Sequence, residues 1–328
     1  MTGRNQTLPA RGHHHYRVYG QNLCSSVRLG ALTPASFASN DIHFELMWTE
    51  RDIDSYLRSA QLIARRPTNL GFDLSSYWSQ QGYLLAWQDR CAFLLSPDGR
   101  NIQCVATRDS NLEWIAASLY GVVLSFALHL RGTANLHASA MAIDGTAVGF
   151  MAESGSGKST LVAACAAKGL PVVTDDVLPI AMGVGEYIVH PGFPFVSLSE
   201  RAAEAFTPHW HEELDFDHAD KLRVPVDGDW ARFADAPLPL GHLISIARRD
   251  DIQDVDMKRV SPTEAIQTVM QHTNVLPFLP TSLKQAHLAF SCQVVSAIPV
   301  WRLEYPSGFQ YLDDAIATIT DVALTPVR

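Results

Sequence analysis

The sequence predicts an α/β fold preceded by a small β-rich region. Three observations predict it. Thr146 to Met151 (TAVGFM) reads as a short buried strand running into a glycine-rich turn, Ser154-Gly155-Ser156-Gly157. Ser159 to Lys168 reads as a helix, with Gly169 where a left-handed residue commonly ends one. Pro171 to Thr174 reads as a second strand, carrying Asp175 and Asp176 at its carboxyl end. Strand, turn, helix and strand in that order form the repeating unit of an α/β core.

The turn continues into Lys158, Ser159 and Thr160, so residues 154–160 (SGSGKST) supply most of the pattern GxxxxGK[ST]. In such a phosphate loop, backbone N–H groups and the lysine wrap the phosphates of a nucleotide. The positive end of the following helix faces the same phosphates. Ala152 stands where the pattern has its first glycine. Either the turn begins in a conformation alanine tolerates, or it is an ordinary Gly/Ser loop before a core helix. Asp175 follows Lys158 by 17 positions, so the acids end the strand directly after the loop helix. The chain has neither the NKxD guanine signature nor an LSGGQ-type signature. Two adjacent carboxylates offer two roles: one holds Mg²⁺ through water, and the other takes the proton of an incoming hydroxyl. Neighbours on a strand point opposite ways, so one of them must turn at the strand end if both serve.

Composition bounds the rest. The 328 residues suffice for two regions of domain size: a β-rich accessory domain over 1–108 and a catalytic domain over 109–328. A net charge of −9 argues against nucleic acid as a partner. Cys24, Cys91, Cys104, Cys165 and Cys292 are odd in number and lack CxxC spacing, which fits reduced thiols in the cytoplasm. The start of the chain has no apolar segment of signal type. His13-His14-His15 reads as a solvated lead-in rather than a metal tract. The apolar run Trp114 to Leu128 is shorter than the roughly 20 residues of a membrane span, so it reads as a buried helix and no membrane partner is expected.

Taken in order, Tyr16–Tyr19, Ile42–Trp48, Tyr83–Trp87, Ala92–Leu95 and Ile102–Ala106 alternate as strands. Ser96-Pro97-Asp98-Gly99 is a turn between the last two, and Asp52–Arg65 reads as a helix. A hairpin then joins Asn135–Ile143 to Thr146–Met151 through Asp144-Gly145, a type I′ signal. Its register pairs Ile143 with Thr146 and sets His137 opposite Ala152, level with the loop. That height favours a functional imidazole over a core histidine. Gly183–His190 and Phe193–Leu198 read as strands, and Leu198–Phe206 as a short helix. His209, His211, Asp215, Asp217 and His218 have metal-ligand spacings but read as an exposed acidic loop. Lys221 and Arg223, on the alternating run KLRVPV, either reach phosphate or substrate or lie on a solvated strand face. Leu240–Ala247 is a buried strand, and Ser261-Pro262-Thr263-Glu264 caps a helix running to His272. A helix over Ser282–Ala297, a strand over Val300–Tyr305 and a helix over Leu312–Leu324 close the chain.

The run HASAMAIDGTAVGFMAESGSGKST…KGLPVVTDDV resembles the catalytic domain of HPr kinase/phosphorylase. It is more similar to HPr kinase-like proteins found with ribosomal-peptide biosynthesis genes, some of which phosphorylate lasso-peptide precursors on serine. Tyr16 to Gly20 (YRVYG) resembles the start of the small N-terminal domain of that group. The resemblance implies a P-loop catalytic domain of the HPr kinase/PEP carboxykinase-like type. It also implies a kinase using ATP and Mg²⁺ on a serine of a peptide or protein. The family's histidine falls on His137, its magnesium-binding loop serine on Ser159, and its base on Asp176. Lys158 would neutralise the transferred group, with Asp175 as a second metal residue. Thr160 replaces a glutamate of the family, and the acidic motif that adds a magnesium ligand there has no counterpart. Phosphorolysis, the hexamer and HPr as acceptor are therefore not carried over, and a homo-oligomer stays open. Two other readings remain: a small-molecule kinase acting on free serine or a sugar, and a nucleotide-gated peptide-binding module that transfers no phosphate.

Overall fold

Asp144 and Gly145 both take positive φ (47° and 77°), the requirement of a type I′ turn. The turn locks the register of Ala134–Ile143 against Thr146–Met151, from Ile143↔Thr146 to Ala138↔Met151. The computed structural model describes residues 13–50, 53–68, 73–87, 90–153, 155–208, 221–226 and 228–325. Around the hairpin a mixed sheet closes on itself. Ala134–Ile143 pairs with Val177–Met182, then Tyr187–Val189, then Leu238–Arg248, which returns in parallel to Thr146–Met151. Val300–Tyr305 and Asp256–Arg259 extend this sheet beyond the ring.

Period-two alternation divides the strand Thr146–Met151 between two cores. Val148 and Phe150 pack with the helices Lys158–Ala167 and Leu312–Ala323, whereas Ala147 and Met151 join Ala265, Val269 and Val294 of the helices Pro262–Gln271 and Thr281–Ala297. Gly149 leaves room that Leu178 and Leu243 fill, since a Cβ there would lie 2.8 Å from each. The molecule is thus mixed α/β, with the expected strand, turn and helix at its centre.

The N-terminal region forms a separate eight-stranded sheet, from His14–Val18 at one edge to Gln61–Pro67 at the other. Two expectations are corrected there. His14 and His15 open the first strand, so the histidine tract is not a free lead-in. The helix expected over 52–65 is one turn, Asp54–Leu57, because Gln61–Pro67 pairs antiparallel with Asp73–Ser79. Pairing with the next strand overrides local helix preference.

Leu112–Leu130 is one helical stretch of 19 residues, long and apolar enough by length and composition to cross a membrane. It is instead mostly buried: Ile115, Leu119, Val123 and Phe126 pack against Phe93, Leu95 and Ile102 of the N-terminal sheet. Residues Leu119–Val123 form a π-helical turn within it.

A buried polar chain ties this helix to the rest. The Asn135 amide donates to Ser125 O (2.9 Å), His129 Nε2 lies 3.3 Å from His287 Nδ1, and His287 Nε2 lies 2.7 Å from Thr273 Oγ1. Burial pushes both imidazoles down to about 4. The unfolded chain therefore binds protons between roughly pH 6.5 and 4 that the folded chain refuses, and stability falls as pH drops through that window. One such shift is worth on the order of 2 kcal/mol at pH 5, and the two coupled rings do not simply add. Urea midpoints at pH 7 and pH 5 should show this loss, with a smaller drop for His287→Gln. Equal midpoints at the two pH values would refute it.

Candidate functional site

The site grows from the end of the strand Thr146–Met151. Ala152 is buried, and only Tyr19, Asp144 and Asp176 among the described non-glycine residues have positive φ, so the turn begins in a conformation alanine accepts. Positive φ is needed later, at Gly155 (83°) and Gly157 (91°), where glycine stands. The helix starts at Lys158, and its first internal bond in the chain is Leu161 N–H to Gly157 O (2.9 Å). The N–H groups of Lys158, Ser159 and Thr160 thus open the helix with no carbonyl of their own helix in reach. Ser154 lies outside the described residues.

The acidic pair divides its work. His137 and Ser139, two apart on one strand, share a face. Ser139 Oγ donates to Asp175 Oδ1 and accepts from Lys158 Nζ at 3.1 Å, while Lys158 Nζ itself stands 4.0 Å from Asp175 Oδ1. The other oxygen of Asp175 accepts from Ser197 N–H (2.9 Å). Lysine and Asp175 are both buried. Asp176 takes φ +74°, which re-aims its side chain, and its Oδ1 meets His137 Nδ1 at 2.9 Å. The side chain of Asp176 is 52% exposed, so it is the member of the pair open to an incoming group. Desolvation within the cleft would by itself raise the Asp176 pKa, although about half of the side chain stays exposed. The charge and hydrogen bond of His137, followed by the charges of Lys158 and Lys221, outweigh that and hold it below the usual carboxylate range. His137 is fixed in turn by its N–H to His272 O (2.6 Å).

A cleft of about 520 Å³ gathers these groups. His137, Lys158, Asp175, Asp176, Lys221 and Arg223 all line it, with Gly155, Gly157, Ser159 and Thr160 of the loop and helix start. Lys221 and Arg223 arrive because Leu222–Pro225 pairs with Phe195–Leu198, setting Arg223 opposite Ser197. The Arg223 guanidinium lies 5.7 Å from the Tyr120 ring centre. Ser156 does not line the cleft; its N–H bonds Glu153 O (3.1 Å) and shapes the turn.

Two cleft residues, Arg248 and Tyr19, and the buried Ser139 behind them escaped sequence reasoning. Arg248 donates to Gly155 O, and its side chain lies 3.2 Å from where a Cβ on Gly157 would sit. It ends a strand parallel to Thr146–Met151, and the carboxyl ends of parallel strands share one rim of the sheet. The basic pair closing a buried strand was the available signal. Ser139 was marked only by its spacing from His137. Tyr19 sits at the tip of the first hairpin with φ +55°, donates its N–H to Pro191 O (2.9 Å) and its hydroxyl to Tyr120 O (3.1 Å). Burial, then the charges of Asp176 and Asp175, push its pKa well up. Among the described residues no cluster of three or more His, Cys, Asp or Glu is arranged for a metal ion. The histidine and aspartate tract of 209–218 lies outside them.

Fold and site together define a mixed α/β protein with a cleft at a glycine turn and helix start, lined by Lys158, Arg248 and two aspartates. No family model matches the chain, and no curated protein matches it. Among solved structures it is similar to the HPr(Ser) kinase/phosphatase from Coxiella burnetii, at 12% identity and a TM-score of 0.31, over 57% of this chain and 95% of that one. So distant a likeness carries no functional argument.

Proposed function

We propose that the chain is a P-loop kinase, dependent on ATP and Mg²⁺, that transfers the γ-phosphate to a hydroxyl, a serine of a peptide or protein. The observation that carries this reading is the split acidic pair. Asp175 turns inward to Ser139 beside Lys158, and the positive φ of Asp176 brings the second carboxylate out onto His137 in the same cleft. A bare anion-binding loop has no need of an exposed carboxylate beside its lysine, whereas phosphoryl transfer to an alcohol needs a proton acceptor there.

The lining suits a polyphosphate: the N–H groups of a helix start, a turn with two glycines at positive φ, Lys158 and Arg248. The Ser159 hydroxyl and the Asp175 carboxylate, both lining the cleft, are hard oxygens of the kind Mg²⁺ takes, and Mg²⁺ keeps several waters and needs only one or two protein groups. Ser159 and Asp175 are the residues that would hold it, and when bound it neutralises charge on the phosphates. The acceptor oxygen forms a bond to the γ-phosphorus as the bond to the β–γ bridging oxygen breaks. Its proton passes to Asp176, and ADP leaves. Lys158 draws the charge of the moving group, and His137 holds the Asp176 carboxylate in place.

Incubation with γ-labelled ATP, Mg²⁺ and either serine peptides or free serine tests the reading. Label on peptide serine, seen as a phosphate adduct by mass, is the expected result. Label on free serine in preference would give the small-molecule kinase, and ATP binding with no transfer to any hydroxyl would overturn the kinase reading.

A further inference from the structure

The cleft has two halves of different character. Around the glycine turn its walls are cationic and polar: Lys158, Ser159, Thr160 and Arg248. Past Asp176 the walls are richer in apolar groups, drawn from Ala117, Tyr120 and Val122 of the long helix and from Leu74 and Trp87 of the N-terminal sheet, with Arg223 over the Tyr120 ring at their edge. A Cβ on Gly121 would lie 3.3 Å from Asp176 Oδ2, so the carboxylate looks directly onto this glycine in the π-helical turn. Single π turns inside α-helices recur at functional sites, where they re-aim backbone and side chains.

Resting on the kinase reading, we propose that the apolar half is the acceptor subsite and that it selects a hydroxyl carried next to a bulky apolar or aromatic group. Transfer between oxygens proceeds in line, so the attacking oxygen comes from the side opposite the departing ADP. With the phosphates on the glycine turn, that side is the one beyond Asp176. The absence of a side chain at Gly121 leaves space for the hydroxyl against the base. The neighbouring group of the acceptor then lies along Val122, Leu74 and Trp87, where burial of apolar surface stabilises it and a lysine side chain would lose hydration. The N-terminal sheet thereby acquires a role: with the helix packed on it, it reads the acceptor. A serine followed by a tryptophan or leucine fits this wall, and free serine or a sugar does not.

Matched hexapeptides with one serine, followed by Trp, Leu, Ala or Lys, test this with the full-length chain. We expect kcat/KM for Trp or Leu to exceed that for Ala or Lys by about tenfold or more. Val122→Lys, on a half-buried surface, should erase that preference. Gly121→Val should abolish transfer to every peptide. Both variants should bind the non-hydrolysable analogue AMP-PNP within about twofold of wild type. Equal rates across the peptides would overturn the proposal and leave the kinase intact. Weakened AMP-PNP binding in properly folded Val122→Lys and Gly121→Val would overturn it too, by giving the apolar half to the nucleotide base. A wild-type chain that binds no nucleotide would instead remove the kinase reading, and this inference with it.

Discussion

Asp176→Asn is expected to lower γ-phosphate transfer by about 10²–10⁴-fold, the usual contribution of a positioned general base, while ATP affinity stays within a few-fold. The substitution isolates chemistry from folding for two reasons. Asparagine tolerates the left-handed backbone that Asp176 adopts at φ +74°, as aspartate does. Its side-chain oxygen can still accept from His137, whose Nδ1 lies 2.9 Å from the carboxylate. What it cannot do is take a proton from an alcohol. Steady-state transfer to a serine peptide and calorimetric titration of AMP-PNP measure the two quantities separately. Unchanged transfer would remove the proposed base. If biological function survived with binding alone, the nucleotide-gated binding module would replace the kinase.

Lys158→Ala should carry the second large effect, a loss of ATP affinity of at least tenfold and up to about 100-fold, the range of a charge-assisted hydrogen bond. The lysine is buried and stands 4.0 Å from Asp175, so its removal also leaves an inner carboxylate short of a cation. Breaking a buried pair from one side destabilises, and lost stability imitates lost binding. The double variant Lys158→Met/Asp175→Asn separates them. With both charges gone the unfolding midpoint should recover, whereas ATP affinity should not. Full ATP affinity in folded Lys158→Ala would exclude the glycine turn as the phosphate site.

Much of this centre was legible because it is written in short-range signals. Asp144-Gly145 dictates the hairpin and its register, and that register, paired out to Ala138↔Met151, leaves the next residue, His137, at the height of the loop. Gly169 at φ +88° ends the loop helix where expected, and Ser261 caps the helix Pro262–Gln271 with proline at its start. The need for one acid to turn out of the strand was also readable, since adjacent strand residues face opposite ways. Which acid turns was not. Asp176 does so because Val177 must begin the next strand against His137, and that pairing spans forty residues of chain. The strand Gln61–Pro67 was read as helix although its partner Asp73–Ser79 follows close behind it, because its own residues do not show that pairing outweighs helix preference there.

By itself, then, the sequence determined the glycine turn, the helix behind it, the lysine and the two carboxylates, because each depends on backbone preferences within a few residues. Tertiary structure alone decided that Arg248 crosses the turn, that Ser139 bridges Lys158 and Asp175, and that Tyr19 and the helix Leu112–Leu130 complete the cleft. Those contacts join positions far apart in the chain. They are selected by sheet closure and by the burial of apolar faces, which no local pattern encodes.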